Sequence, residues 1–181
     1  MNFEAGDVGR LRVAALNKNE KEIIINIAKR AIEISEEDWI EFETSYKFSG
    51  IRLTRQSFNS LFNAWKDWAD LCQLRRNELI TIEADIDRRL ISAYSLESKL
   101  SAEVMQAQVQ IAEGSRELDC QRLISYAIGC MMGRYSLDEP GLIYAHSGNV
   151  GFQPGRYATF PADADGIVPI ARVADDVRVP G

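Results

Sequence analysis

The sequence predicts a mainly α protein, a helical bundle with one long coiled-coil-like helix, followed by an irregular C-terminal segment with short strands. Three observations carry that prediction. Apolar residues recur every seven positions from Ser57 to about Tyr94, and a wide apolar stripe repeats with helical spacing between Ile23 and Ile32. From Gly141 onward glycine and proline become frequent and helical periodicity disappears.

In chain order, Met1 to Ala15 reads as a turn and a minor strand in which Leu11 and Val13 share a face. Asn17 or Asn19 can cap a helix running to about Ile34. Its stripe is Ile23, Ile24, Ile27, Ala28, Ala31 and Ile32, with Lys18, Glu20, Lys21, Glu22 and Lys29 outside it. Ser35 followed by Glu36, Glu37 and Asp38 has the form of a capping box, so a second short helix is expected. Trp39, Ile40 and Phe42 would be its buried side, and Gly50 would end the unit. Asp38, Glu41 and Glu43 are read as a solvated helix face rather than as paired carboxylates for acid–base chemistry.

The longest periodic run places Phe58, Trp65, Cys72, Leu79, Ile86 and Ala93 on one seam, with Leu61, Trp68, Ile82 and Leu96 as companions; Arg75 and Arg89 interrupt the second row. A helix of about 38 residues would be about 57 Å long, more than a compact domain needs. Arg75 and Arg76, or Arg88 and Arg89, could meet phosphates, but Glu78, Glu83, Asp85 and Asp87 lie among them and intrahelical ion pairs are expected. Trp65 and Trp68 fall on the seam and are read, with Trp39, as core anchors rather than base-stacking platforms. Ser101 to Ile111 opens a further helix closed by Gly114, within a less regular spacer.

Between Leu118 and Ala145 the residue choices go beyond core-making. Asp119 can cap a helix whose Leu123, Ile124, Ala127, Ile128 and Met131 share one face, and Gly133 is placed to stop it in a left-handed conformation. Ser125, Gly129 and Gly133 stand at steps of four, although a glycine inside a helix costs about 1 kcal/mol against alanine. A close-packing groove is expected there, holding another backbone segment, with the long helix from Ser57 to Tyr94 the foremost candidate. A membrane use of this small-residue pattern is excluded by Arg122 and Arg134 at its ends and by an apolar run far below the ~20 residues a span requires. Arg134 and Tyr135 then read as extended, Ser136 to Gly141 as a turn, and Leu142, Ile143 and Tyr144 as a buried strand. Asp163, Asp165 and Gly166 imitate the start of a calcium loop without its closing glutamate, Ile167 to Ile170 reads as a short strand, and Arg172 to Gly181 as a loose end.

The composition is that of a globular chain: 181 residues, 46% apolar and 27% charged. A net charge of -6 argues against a self-sufficient nucleic-acid binder, which presents a basic face to phosphates. Cys72, Cys120 and Cys130 form no close pair, and with His146 the only histidine they cannot assemble a zinc site; they are read as reduced, buried thiols. No leader or membrane-spanning run is present, so a cytoplasmic protein is expected.

The stretch ISYAIGCMMGRYSLDEPGLIYAHSGNVGF, followed by RYATFPADADGIVPI, resembles the segment after the catalytic domain in the large adenine-specific DNA methyltransferases of BREX phage-defence systems, the PglX family. DWIEFETSYKF is similar to another part of the same family, and the opening NFEAGDV resembles the loop that closes its catalytic domain. There this chain has Arg12 where the family often has proline. The resemblance implies that residues 1–16 are a remnant of the catalytic-domain end, 17–117 a helical spacer module, and 118–181 the start of a C-terminal DNA-recognition or docking region. It further implies a parent that methylates adenine in host DNA with S-adenosylmethionine, so that self is told from invader. The partners it implies are the remaining domains of that parent, duplex DNA through the parent, and other defence-system proteins.

This chain lacks the glycine-bearing strand-to-helix turn for S-adenosylmethionine and the Asn-Pro-Pro-aromatic loop that holds a flipped adenine. No catalytic, cofactor-binding or metal-ligating residue is therefore assigned; the residues singled out are the groove of Ser125, Gly129 and Gly133. The function expected is a non-catalytic helical module linking the methyltransferase domain to the target-recognition region. The alternative is a free-standing acidic helical protein that binds another protein or oligomerises through the heptad seam.

Overall fold

A computed structural model of the chain describes residues 13–55, 59–146 and 150–161. The chain is mainly helical, and among the described residues no strand occurs. Among the described residues the α-helices are α1 (Lys18–Trp39), α2 (Arg52–Arg55), α3 (Leu61–Ala93) and α4 (Arg116–Met131), with 3-10 turns at Gln106–Gln108 and Pro154–Arg156. Two compact units result, one from residues 1–35 and 75–110, the other from residues 36–74 and 111–181.

In the first unit the Asn17 side chain accepts a hydrogen bond from the Glu20 N–H at 2.8 Å, satisfying one of the free donors at the start of α1. Ile23, Ile24 and Ile27 are half-buried and Ile34 is fully buried, whereas Ile32, expected in the stripe, is exposed. Arg30 forms a two-pronged pair with Glu78, at 2.7 and 3.2 Å. Arg89 bridges Glu20 at 2.9 Å and Asp85 at 3.0 Å. The intrahelical pairing expected for the arginines therefore holds at Arg88 and Arg89, both of which meet Asp85. Arg76, a buried side chain, donates its guanidinium to the carbonyls of Gln106 at 2.6 Å and Val109 at 3.2 Å.

That arrangement explains a correction in the spacer. The expected helix from Ser101 to Ile111 is absent, and only the turn at Gln106–Gln108 forms. Carbonyls that a helix would use internally are taken by Arg76, so the segment is held from outside. A second correction concerns Ser35. Its hydroxyl donates to the Ala31 carbonyl at 2.9 Å, back into α1, and the helix continues to Trp39 instead of ending near Ile34. Residues 40–47 are turns rather than a new helix, and Trp39 is 42% exposed, edge-on to Tyr46 at 5.5 Å.

The second unit holds the larger core: Phe48, Ile51, Leu53, Ala64, Trp68, Cys72, Tyr126 and Tyr135, with Trp65, Leu71, Leu123 and Cys130 packed against it. Trp65, Trp68 and Cys72 are seam residues of α3, so the seven-residue repeat correctly marks the inward side of that helix. Gly114 lies flat on α3, where an added Cβ would stand 2.4 Å from the Ala69 Cβ and 2.5 Å from its Cα. The strand expected at Leu142, Ile143 and Tyr144 does not form. The Ile143 N–H reaches the Arg134 carbonyl at 2.8 Å, but one bond without a continuing ladder makes no strand, and Leu142 is exposed. The expected strands reaching Leu11 and spanning Ile167 to Ile170, the seam residue Phe58 and the loop of Asp163, Asp165 and Gly166 lie outside the described residues.

Candidate functional site

The chemistry-bearing residues of the second unit gather where α4 meets α3 and the turns after Trp39. α4 begins at Arg116 and its N-cap is Ser115, whose side chain accepts from the Leu118 N–H; the expected cap, Asp119, lies inside the helix. Asp119 is instead buried, accepting from the Trp65 indole N–H at 3.2 Å and from Arg122 at 3.1 Å. Arg122 also donates to the Glu41 carbonyl at 2.6 Å and lies over the Phe42 ring at 4.1 Å. One arginine thereby ties α4 to the turns that follow α1.

The three carboxylates read as a solvated face are not all solvated. Asp38 is 7% exposed and both its oxygens accept from the Ala112 N–H at 3.2 Å. Glu41 is 4% exposed and ion-paired to Arg55 at 3.3 Å. Only Glu43 is exposed, and it accepts from the Tyr135 hydroxyl at 3.2 Å. Both buried carboxylates thus hold loops in place, work that a sequence reading assigns to apolar groups.

The glycines of the expected groove separate. Gly129 is buried, and an added Cβ would lie 2.6 Å from the Tyr135 ring, so its close neighbour is an aromatic side chain from the segment just beyond the helix. Gly133 ends the helix at φ +66°, the left-handed stop expected of it, and its carbonyl accepts from the Tyr157 hydroxyl at 2.5 Å. Ser125 is exposed, on the wall of a shallow hollow of about 230 Å³ with Phe42 and Thr44. The backbone approach to the long helix that the sequence suggested for these three occurs at Gly114, which sequence reasoning took only for a helix stop.

Tyr126 and Tyr135 stack at 5.1 Å, and Phe48 stands edge-on to both. Burial pushes the Tyr126 and Tyr135 phenols above the ordinary tyrosine range, with the Glu43 carboxylate adding to the effect at Tyr135. Burial likewise raises the Cys130 thiol. At neutral pH this cluster is uncharged packing material. Of the three thiols read as buried, Cys72 is buried and Cys130 half-buried, while Cys120 is exposed.

A second polar cluster pins residues 156–159 to the turn that follows α4. Asp138 accepts from the Ala158 N–H at 2.7 Å, the Thr159 N–H at 2.9 Å and the Thr159 hydroxyl at 2.5 Å. Those bonds, from Thr159 first, hold its carboxyl below the usual aspartate range. Arg156 donates to Glu139 and lowers that carboxyl too, while Phe152 stacks on Tyr157 at 5.2 Å. No periodicity or motif in the sequence marks this clip.

The face of α4 expected to be buried is the one turned outward. Ile124, Ile128 and Met131 are 59%, 51% and 42% exposed, and Ala127 is exposed with them; of the five expected residues only Leu123 packs against the core. What α4 buries is Asp119, Tyr126 and Gly129, with Arg122 alongside. Asp119, Arg122, Tyr126 and Gly129 are spaced three, four and three apart, a helical phase that an apolar-only search passes over.

No protein-family model matches the chain. In sequence it is 35% identical to the adenine-specific methyltransferase BrxX of Escherichia coli O9:H4 (strain HS), over 94% of this chain and 15% of that relative. It is 31% identical to the adenine-specific methyltransferase PglX of Lacticaseibacillus casei (strain Zhang), over 93% of this chain and 14% of that relative. The chain thus spans about one seventh of the length of the curated relatives it matches.

Proposed function

Since the chain belongs with the BREX-type adenine-specific methyltransferases as a segment of their length, we propose that it is a non-catalytic helical module joining a methyltransferase domain to a target-recognition region. The observation that carries this reading is the match to two larger methyltransferases over 94% and 93% of the chain, in a sequence without a cofactor turn or adenine-holding loop. The geometry of the second unit is in keeping with it. Asp38, Glu41, Asp119, Arg55 and Arg122 are spent on one another and on main-chain groups, which makes a stiff support.

In this reading residues 1–16 end the catalytic domain, 17–117 are the spacer and 118–181 begin the recognition or docking region. The parent methylates adenine in duplex DNA with S-adenosylmethionine, works in the cytoplasm within a phage-defence system, and supplies the basic surface that a chain of net charge -6 lacks. Calorimetry and a methyl-transfer assay on the isolated chain test it. The expected result is neither cofactor binding nor methyl transfer, and only weak DNA binding without sequence preference. A stoichiometric S-adenosylmethionine site, or a tight site-specific DNA complex at physiological salt, would overturn it.

A further inference from the structure

The outward face of α4 is an apolar stripe with a helical period. Cys120, Ile124, Ala127, Ile128 and Met131 fall within an arc of about 100° on a helix of 3.6 residues per turn, and every one is exposed. The opposite arc is filled by Asp119, Tyr126 and Gly129. Both sides of this helix are therefore built for contact, but the described residues cover only one. A contiguous apolar stripe of this kind on a folded surface marks an interaction site.

The geometry points to this stripe as the surface on which the remainder of the parent methyltransferase docks, through an apolar helix or sheet face of its own. This rests on the module reading above. Two arguments choose that occupant over a second copy of the chain. First, the relatives carry about six times as much polypeptide outside the matched segment as within it, so a covalently attached partner is at hand. Second, the stripe is short. A specific complex between free proteins takes about 800 Å² from each side and some 20 to 30 residues. Five side chains on a 16-residue helix are fewer than that, whereas a tethered segment held at millimolar effective concentration can dock on less.

Cys120 is a built-in reporter of the stripe, since thiol labelling follows exposure. In the isolated chain a maleimide should modify Cys120 fast and Cys72 slowly, read by peptide mass. The chain is then placed in the E. coli relative in exchange for the matched segment. There Cys120 labelling should slow by at least about tenfold, and Ile128→Asp should restore it. In the isolated chain the same substitution should shift the melting temperature by less than about 2 °C, because surface changes away from packed features are nearly neutral.

A chimera that methylates DNA with Cys120 still labelled at the isolated rate would overturn the docking surface and leave the module reading standing. A chimera that folds but has lost methylation would count against the module reading itself. A large loss of melting temperature for Ile128→Asp in the isolated chain would mean the chain covers this face already, which overturns the proposal without the chimera. Concentration-dependent protection of Cys120 in the isolated chain would assign the stripe to a second copy and overturn it likewise.

Discussion

The Tyr135 ring occupies the space in which a side chain at Gly129 would begin. A Cβ on Gly129 would stand 2.6 Å from one ring carbon and 2.7 Å from the next, and the Gly129 carbonyl also accepts from the Arg134 N–H at 2.8 Å. The ring is stacked on Tyr126 and held at its tip by Glu43, so it has little room to move. Gly129→Leu should therefore destabilise the fold by overpacking, by about 1 to 3 kcal/mol or more. Thermal unfolding measures it, and the cost should fall when Tyr135→Ala is added, because the two changes share one space. An unchanged melting temperature for the single variant would refute the contact.

Asp119 supports a different kind of loss. Removing its carboxylate leaves the Trp65 indole N–H without its acceptor and takes the charged partner from the Arg122 guanidinium, whose bond to the Glu41 carbonyl remains. Asp119→Ala should cost about 3 to 5 kcal/mol, the range for breaking a buried charge pair from one side. Denaturant unfolding gives the magnitude, and the fluorescence of Trp65 should change with it. A cost below about 1 kcal/mol would place Asp119 in an exposed setting.

Arg30 and Glu78 provide the contrast. Their pair is short, 2.7 Å, but the two side chains are 41% and 38% exposed. Arg30→Ala should cost no more than about 1 kcal/mol, because solvent screens such pairs. The same unfolding measurement applies, and a loss comparable to that of Asp119→Ala would contradict the assignment.

The C-terminal clip should respond to acid. Asp138 and Glu139 both have carboxyls lowered in the folded chain, Asp138 by hydrogen bonds led by those of Thr159 and Glu139 by Arg156. A lowered folded value means that the contribution is complete above the unfolded values, 3.8 and 4.5, and is lost as pH falls through the lower folded ones. Amide exchange at Ala158 and Thr159 should thus be protected at neutral pH and lose protection only as pH falls below 3.8 and through the lowered value of Asp138. Asp138→Ala should remove that protection at all pH values.

How much of this was legible in sequence follows from what holds each element. The Asn17 cap, the left-handed stop at Gly133 and the inward side of α3 are local or periodic, and they could be read directly. The end of α1 was misplaced because Ser35, which looks like a cap, bonds backward to Ala31 when the preceding turn is already helical. α4 reads the wrong way round in sequence because its apolar residues Ile124, Ile128 and Met131 point outward. Its orientation is set by specific long-range partners, Trp65 for Asp119 and the Glu41 carbonyl for Arg122, neither visible as a pattern. Asp138 reads in sequence only as part of the turn from Ser136 to Gly141 for the same reason: its partners Ala158 and Thr159 lie about 20 positions away in a stretch without periodicity.

Arg76 has a consequence for how the chain tolerates change over time. Its guanidinium grips main-chain carbonyls of Gln106 and Val109, and a carbonyl is the same whatever side chain accompanies it. The connection from Ser101 to Gln108 is therefore free to drift in identity at exposed positions such as Gln106 and Ala107 while keeping its path. The constraint is exported to a single position in α3. A lysine there would offer one ammonium where a planar fork now serves two acceptors, so exchange at Arg76 should be felt where exchange at Gln106 or Ala107 is not.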